Sequence, residues 1–222
     1  MTEPFAPVSD PRPDDTPWPQ LAWPPRPDVT LTGRWVELRP VDPGREADEL
    51  FSALDHDAVW THVAGRPSSS EAYAATLAAR VAAGWLPWVV RLRRAHAGIA
   101  EGSVIGTTSF LDADVRSARL EVGATAYTPQ VWASAVNPDV KLALLTYAFD
   151  QLGAGRVQMK TDVRNTRSQR AIARLGATYE GTLRRYHRRA DDTVRDTALF
   201  SIISEEWPGV RHGLGLRLAD WG

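Results

Sequence analysis

The sequence predicts one α+β domain with a central mixed, mostly antiparallel sheet flanked by helices. Between residues 86 and 126, short stretches of alternating apolar and polar residues follow one another with polar turns between them, as in antiparallel hairpins. Between residues 137 and 203, strand patterns alternate with helical ones, which indicates a βαβ passage. The 222 residues suffice to bury a core without disulfides, and no internal repeat divides them.

Each element follows from its periodicity and its ends. Alternation around Val36 and Leu38 predicts a first strand over residues 31–40. Apolar positions at helical spacing predict a helix over 45–54, and a second helix over 71–83 lies between capping serines and Gly84. The other predicted strands span residues 86–92, 103–111, 118–126, 156–161, 177–183 and 197–203. The other predicted helices span residues 137–152, 166–175 and 205–218.

Composition excludes several classes of function. A net charge of −1 predicts no nucleic-acid partner. The chain has no cysteine, and its five histidines show no metal-ligand spacing, so we expect no metal and no thiol nucleophile. No apolar run approaches the roughly 20 residues that span a bilayer, so no membrane partner is expected. The first residues do not resemble a signal peptide, which predicts a cytoplasmic protein.

The first thirty residues differ from the rest, since nine of them are proline. Proline lacks a backbone donor, so residues 1–30 are predicted to form an extended arm without a helix or a central strand. The arm carries Trp18 and Trp23, which favours contact with the body or a partner, but a disordered tail is equally compatible. We expect the folded domain over residues 31–218 and a short tail at 219–222.

The join between the strand at 118–126 and the next helix has the features of a phosphate site. Asn137 suits the N-cap and Pro138 the first helical position, so a helix N-terminus with free N–H groups should begin here. The small residues Ala133, Ser134 and Ala135 before it would let a pyrophosphate approach those groups. An ordinary capped helix remains the alternative.

A second polar pair lies between the strand at 156–161 and the following helix. The Asn165 amide could pair with an extended amide chain, and Ser168 should point from the first helical turn toward the same cleft. The alternative is that Asn165 serves only as the N-cap, a position that asparagine favours.

Several short segments occur in a specific order: Gln130-Val131-Trp132-Ala133-Ser134-Ala135, Asn165-x-x-Ser168, Leu175-Gly176-Ala177, Glu180-Gly181-x-Leu183-Arg184 and Glu206-Trp207-Pro208. Together they resemble the acetyl-CoA core of the GNAT superfamily of N-acetyltransferases. Within it, they are similar to the branch that acetylates ribosomal-protein N-termini. The resemblance covers residues 31 to about 218 and leaves the proline-rich arm outside.

The resemblance implies a sheet that is splayed where acetyl-CoA, the expected co-substrate, enters. It also implies that backbone groups near residues 126–131 hold the pantetheine like an added strand. Lys141 and Arg167 are placed for phosphates by their positions in the first helical turns. The residues expected to bind acetyl-CoA are Ala126, Tyr127, Gln130, Val131, Trp132, Ala133, Ser134, Ala135, Asn137, Lys141, Asn165, Arg167 and Ser168.

The chemistry that the resemblance implies needs a base, because an amine attacks a thioester only when it is neutral. Glu121 lies on the strand that would line the cleft and is expected to take the proton directly or through water. A solvent-facing strand carboxylate is the alternative. Backbone N–H groups near residues 124–126 would polarise the thioester carbonyl.

Two positions depart from the family pattern. Ala133 replaces the first glycine of the pyrophosphate turn, which alters the backbone angle or its distance from the phosphates. Ile172 stands where many members carry a general-acid tyrosine, and Ser168 is the nearest group that could donate to the leaving thiolate. These departures keep open a protein that binds acyl-CoA without catalysis.

The acceptor amine is less defined. The branch favours a protein or peptide N-terminal amine, while an aminoglycoside, a polyamine or an amino-acid-like amine remains compatible. The basic stretch around residues 184–195 is expected to be a solvated hairpin, or a contact for an acidic substrate, an adenosine phosphate or RNA. A homodimer is a mild expectation.

Overall fold

The computed structural model describes residues 6–10 and 17–221. The predictions for the remainder of the proline-rich arm and for residue 222 lie outside the described residues. The strands are β1 (Leu31–Thr32), β2 (Val36–Pro40), β3 (Leu86–Leu92), β4 (Val104–Asp114), β5 (Arg119–Tyr127), β6 (Arg156–Asp162), β7 (Thr178–Arg188) and β8 (Val194–Ile203). The helices are α1 (Pro43–Leu54), α2 (Asp57–Trp60), α3 (Ser70–Ala82), α4 (Val136–Thr146), α5 (Thr166–Ala173) and α6 (Trp207–Ala219).

The eight strands form one sheet in the order β1-β2-β3-β4-β5-β6-β8-β7. Every neighbouring pair is antiparallel except β5 and β6, which run parallel because α4 forms the crossover between them. The prediction of a mixed, mostly antiparallel α+β sheet flanked by helices is confirmed.

Consecutive side chains of β3 show how the two faces of the sheet are covered. Val89 packs in a cluster with Leu50 of α1 and Leu77 of α3. Its neighbours Trp88 and Val90 point the other way, into the larger core that includes α4 and α6. Helices α1 and α3 therefore cover one face of the sheet, and α4 and α6 cover the other.

The first predicted strand is interrupted, and a buried carboxylate explains why. Residues 33–35 turn the chain between β1 and β2, and Asp139 of α4 accepts hydrogen bonds from the N–H groups of Arg34, Trp35 and Val36. Gly33 leaves room for this carboxylate, since a Cβ there would overlap it. The alternation of residues 31–40 gave no sign of the turn because its partner lies more than a hundred residues away.

Residues 17–30 of the arm lie against the body without forming a helix or a strand. Leu21 is buried in the main core, the Ala22 N–H donates to the Leu152 carbonyl, and Trp18 donates to the Arg116 carbonyl. Gly153 has a positive φ and leaves space for the Gln20 carbonyl. Of the two predicted alternatives for the arm, contact with the body is therefore the one observed for these residues.

Several predicted element bounds differ from the structure. The predicted helix over 137–152 is α4 followed by a π-helical turn, Tyr147–Gln151. The last two strands extend through the basic stretch, which is part of the β7–β8 hairpin rather than a loop. Register shifts and Arg185 at φ +51° bend β7 within this stretch. The four-residue helix α2 was not predicted.

Candidate active site

The central feature of the site is a gap in the sheet between β5 and β6. Their parallel pairing covers three residues of each strand and ends where Glu121 faces Gln158. Beyond this point β5 continues to Tyr127 and β6 to Asp162 without a strand between them. The β6-facing edge of β5 therefore presents backbone groups that no described strand pairs.

A bulge in β5 shapes this edge. In β4, Thr107 and Ser109 are two steps apart, whereas the β5 residues opposite them, Ala126 and Gly123, are three steps apart. The extra residue, Ala124, has φ +47°, and the bulge reverses which face the following side chains occupy. Glu121 lies on the face of the sheet away from α4, which we call the open face of the gap. Thr125 instead faces α4 and contacts its Lys141.

The loop before α4 presents unpaired backbone donors. In the described part of the chain, the N–H groups of Ala133, Ser134, Ala135 and Asn137 have no hydrogen-bond acceptor. Ala133 has φ +56°, a conformation that favours glycine, which explains why the family pattern has glycine there. These donors lie at the N-terminus of α4, where the helix dipole also favours an anion.

The N-cap prediction for Asn137 is wrong. Helix α4 begins one residue earlier, at Val136, whose N–H donates to the Ser134 hydroxyl at 3.2 Å. That hydroxyl in turn donates to the Val131 carbonyl at 2.7 Å, which fixes the loop. Asn137 therefore lies in the first turn, and its N–H stays available.

Lys141 also departs from the prediction, because its amine faces the sheet rather than the phosphate loop. The amine lies 2.8 Å from the Thr125 hydroxyl and 3.4 Å from the Thr108 hydroxyl, and the residue is 5% exposed. Burial lowers its pKa to about 7. Its spacing from the buried residues Leu144 and Leu145 was the signal that it lies on the inner face of α4.

Trp132 and Arg167 join the loop before α4 to the start of α5. The Trp132 indole N–H donates to the Tyr127 carbonyl at 3.0 Å. The Arg167 guanidinium lies 3.5 Å from the centre of the Trp132 ring, a cation–π contact. Burial lowers the Arg167 pKa. The structure thus brings together two residues predicted for acetyl-CoA binding from opposite sides of the gap.

Of the two alternatives for Asn165, the cap is observed. Its side-chain oxygen accepts a hydrogen bond from the Ser168 N–H at 3.0 Å at the start of α5. Within residues 6–10 and 17–221, nothing accepts a hydrogen bond from its amide nitrogen, so a further role for Asn165 stays a prediction. Ile172 is buried in the core, and its aliphatic side chain has no proton to donate.

The other predicted contacts divide into backbone and side-chain groups. Tyr127 and Val131 bury their side chains, so only their backbone faces the gap. Gln130 is exposed, and its side-chain oxygen accepts a short hydrogen bond from Thr128. Ala126 lies on β5 just beyond the bulge. Direct contacts of these residues with acetyl-CoA stay predictions.

Glu121 is buried, so the alternative of a solvent-facing carboxylate is wrong. It is 5% exposed, and the Lys160 ammonium of β6 lies 2.7 Å from its Oε2 atom. Burial raises the Glu121 pKa, Lys160 opposes the rise, and Asp112 adds to it. Lys160 and Asp112 were missed from the sequence because they lie on other strands and meet Glu121 only in the folded sheet.

Across residues 6–10 and 17–221, no group of three or more histidine, cysteine, aspartate or glutamate residues is arranged to hold a metal ion. Among the same residues, no helix has the length and apolar character needed to cross a membrane.

Comparison with known proteins agrees with this architecture. The family model described as "Acetyltransferase (GNAT) domain" matches residues 36–178. A Bacillus subtilis (strain 168) protein named "Putative ribosomal N-acetyltransferase YdaF" is 26% identical over 78% of this chain and 91% of its own length.

Solved structures extend the likeness to about nine-tenths of the chain. A protein from T. thermophilus described as a "putative acetyltransferase" is 34% identical, with a TM-score of 0.75 over 87% of this chain and 98% of that one. A GCN5-related N-acetyltransferase from Brucella melitensis shares the fold at 24% identity, with a TM-score of 0.81 over 90% and 89% of the two chains. The chain therefore belongs to the GNAT family of N-acetyltransferases, whose co-substrate is acetyl-CoA.

Proposed function

We propose that this acetyltransferase moves the acetyl group of acetyl-CoA to the N-terminal amine of a protein or peptide. The observation that carries the proposal is the gap between β5 and β6, which has a buried carboxylate at its closed end. Helices α4 and α5 begin on its two sides, and Trp132 and Arg167 link them.

The phosphates of acetyl-CoA would bind at the start of α4. Free N–H groups at Ala133 to Ala135 and at Asn137 offer hydrogen bonds, and Arg167 supplies a positive charge nearby. The pantetheine amides would pair with the free edge of β5 beyond Glu121, as an added strand pairs with a sheet edge. Lys141 has no part in this binding, because its amine is buried below the bulge.

The reaction needs a group that accepts the proton of the amine, hydrogen-bond donors for the oxyanion and a hydrogen-bond donor for the leaving thiolate. Glu121 would take the proton of the acceptor ammonium, directly or through water, and its raised pKa makes it a stronger base than an ordinary carboxylate. As the C–N bond forms, backbone N–H groups at the bulge would stabilise the carbonyl oxygen. When the C–S bond breaks, the Ser168 hydroxyl would donate a hydrogen bond to the leaving thiolate, and the remaining extra proton of the new amide nitrogen would pass to that sulfur.

Two arguments favour an N-terminal amine as acceptor. A peptide α-amine has a pKa near 8, against about 10.4 for lysine, so a buried carboxylate removes its proton at a smaller cost. The side chains beside Glu121 that reach the surface are Asp112 and Tyr186, and a flexible cationic chain end could pass between them. The Bacillus subtilis relative is named a ribosomal N-acetyltransferase, and that name supports a ribosomal acceptor.

The test combines ligand binding with turnover. Thermal melts with and without acetyl-CoA measure binding, since a ligand at a hundred times its Kd adds roughly 2.7 kcal/mol of stability. Thiol release is then followed with two matched peptides, one with a free N-terminus and no lysine, the other with a blocked N-terminus and one lysine. A polyamine and an aminoglycoside complete the panel.

Each result has one meaning. Thiol release only with the free-N-terminus peptide supports the proposal. Thiol release only with the polyamine or the aminoglycoside would show that the acceptor is a small molecule instead. A stability shift without release on any amine supports a protein that binds acyl-CoA without catalysis. No shift would refute binding through the α4 loop.

A further inference from the structure

Lys160 is the centre of a polar cluster on the open face of the gap, and the proposed reaction gives it no role. Its ammonium lies 2.7 Å from Glu121 Oε2, 3.1 Å from the Tyr186 hydroxyl and 3.5 Å from Asp112. The ammonium also lies 5.1 Å from the centre of the Tyr186 ring. The four residues come from four strands, β4, β5, β6 and β7, so folding alone brings them together.

This cluster supplies the positive charge that the buried Glu121 carboxylate needs. A carboxylate taken out of water is costly unless a cation pairs with it. Lys160 is the residue that forms an ion pair with Glu121 in the described structure, and its side chain is itself only 8% exposed. The other charged groups near Glu121 are Asp112 of β4, which opposes ionisation, and Arg195 of β8, which favours it.

We propose that Lys160 is a positioning residue that keeps Glu121 ionised and fixes the orientation of its carboxylate. Tyr186 in turn holds the Lys160 ammonium in place through its hydroxyl. The inference rests on the proposed role of Glu121 as base. Lys160 does not itself accept the proton: although burial acts to lower its pKa, Glu121 and Tyr186 raise it above the ordinary lysine value. It remains an ammonium and acts through its neighbour.

Tyr186 gives this arrangement a link to the acceptor. The residue is 42% exposed and lies on edge strand β7, with its hydroxyl turned inward to Lys160. Its neighbour His187 also faces the cluster, with a pKa that burial, Arg195 and Lys160 lower, so it is mainly neutral at pH 7. An acceptor that covers Tyr186 would therefore shield its hydroxyl contact with Lys160 from water as it arrives.

The test is the pH dependence of kcat/KM for Lys160→Met, Lys160→Arg and Tyr186→Phe. Removing a cation 2.7 Å from a carboxylate raises that carboxylate's pKa, so the acidic limb should move upward by roughly one to three pH units in Lys160→Met. Lys160→Arg should restore the wild-type limb. Tyr186→Phe, which keeps the ring, should show a smaller shift in the same direction.

A second measurement separates this inference from the proposed function. The side-chain carboxyl signal of Glu121 is followed by ¹³C NMR against pH in wild type and variants, with Glu121→Gln for assignment. An upward shift of the Glu121 carboxyl signal without any amine turnover would keep the electrostatic role of Lys160 and reject the proposed function on which its catalytic meaning rests. Turnover with an unmoved acidic limb and an unmoved carboxyl signal in both Lys160→Met and Tyr186→Phe would overturn the inference.

Discussion

Replacing Lys141 with methionine should stabilise the protein at neutral pH and remove a pH dependence between pH 7 and 10. In the described structure no carboxylate pairs with this amine, and two threonine hydroxyls are its partners. Its pKa is about 7 in the folded protein, against 10.5 ordinarily. The Lys141 amine therefore binds its proton more tightly in the unfolded chain than in the folded protein. For this reason the free energy of unfolding rises as pH rises.

The size of the effect follows from these two pKa values. Each pKa unit corresponds to about 1.4 kcal/mol, so the penalty at pH 7 is at most about 4 kcal/mol. At pH 10 less than about 1 kcal/mol of it remains, because the unfolded amine is then losing its proton too. Methionine fills a similar volume without the charge, and the lost hydrogen bond to Thr125 offsets roughly 1 kcal/mol.

Urea unfolding of wild type and Lys141→Met at pH 7 and pH 10 measures this difference. The variant should be more stable by about 3 kcal/mol at pH 7, and its advantage should nearly vanish at pH 10. The chain contains two lysines, so ¹³C-labelled lysine gives two Cε signals. Lys160 serves as the internal control, since its pKa lies above the ordinary value. An advantage that is equal at both pH values, or two Cε signals that titrate together, would refute the reasoning.

Three further results are expected. Ala133→Gly should stabilise the protein by roughly 0.5–1 kcal/mol and tighten acetyl-CoA binding in thermal melts, because φ is +56° there. Ala135→Gly, at φ −64°, is the matched control and should destabilise it. Glu121→Gln should reduce kcat by roughly ten- to a thousand-fold with little change in acetyl-CoA affinity, and unchanged turnover would remove Glu121 from the mechanism. Arg167→Ala should weaken acetyl-CoA binding several-fold in calorimetry while Arg170→Ala, on the same helix, does not; equal effects would argue against a specific phosphate contact.

The sequence predicted the fold well because its signals are local. Alternation and helical spacing gave most elements, and the family motifs identified the loop before α4 and the start of α5 as parts of one cleft. These signals depend on neighbours a few residues apart, which a sequence displays directly.

The errors came from contacts between distant segments. The turn between β1 and β2 depends on Asp139, and the burial of Glu121 depends on Lys160 from another strand. The position of Lys141 was predicted wrongly because the prediction considered its charge and did not consider that it lies on the buried face of α4. Such pairings become visible only when the order of strands is known.

The contact between Gly33 and Asp139 carries a consequence for how this sequence can evolve. A side chain at residue 33 would displace the carboxylate, and a residue at 139 without a side-chain oxygen would leave three backbone N–H groups without their acceptor. Either change alone removes the contact that holds the turn, so the two positions form a coupled pair. Among related sequences, they should be retained together or replaced together, together with the turn that they hold.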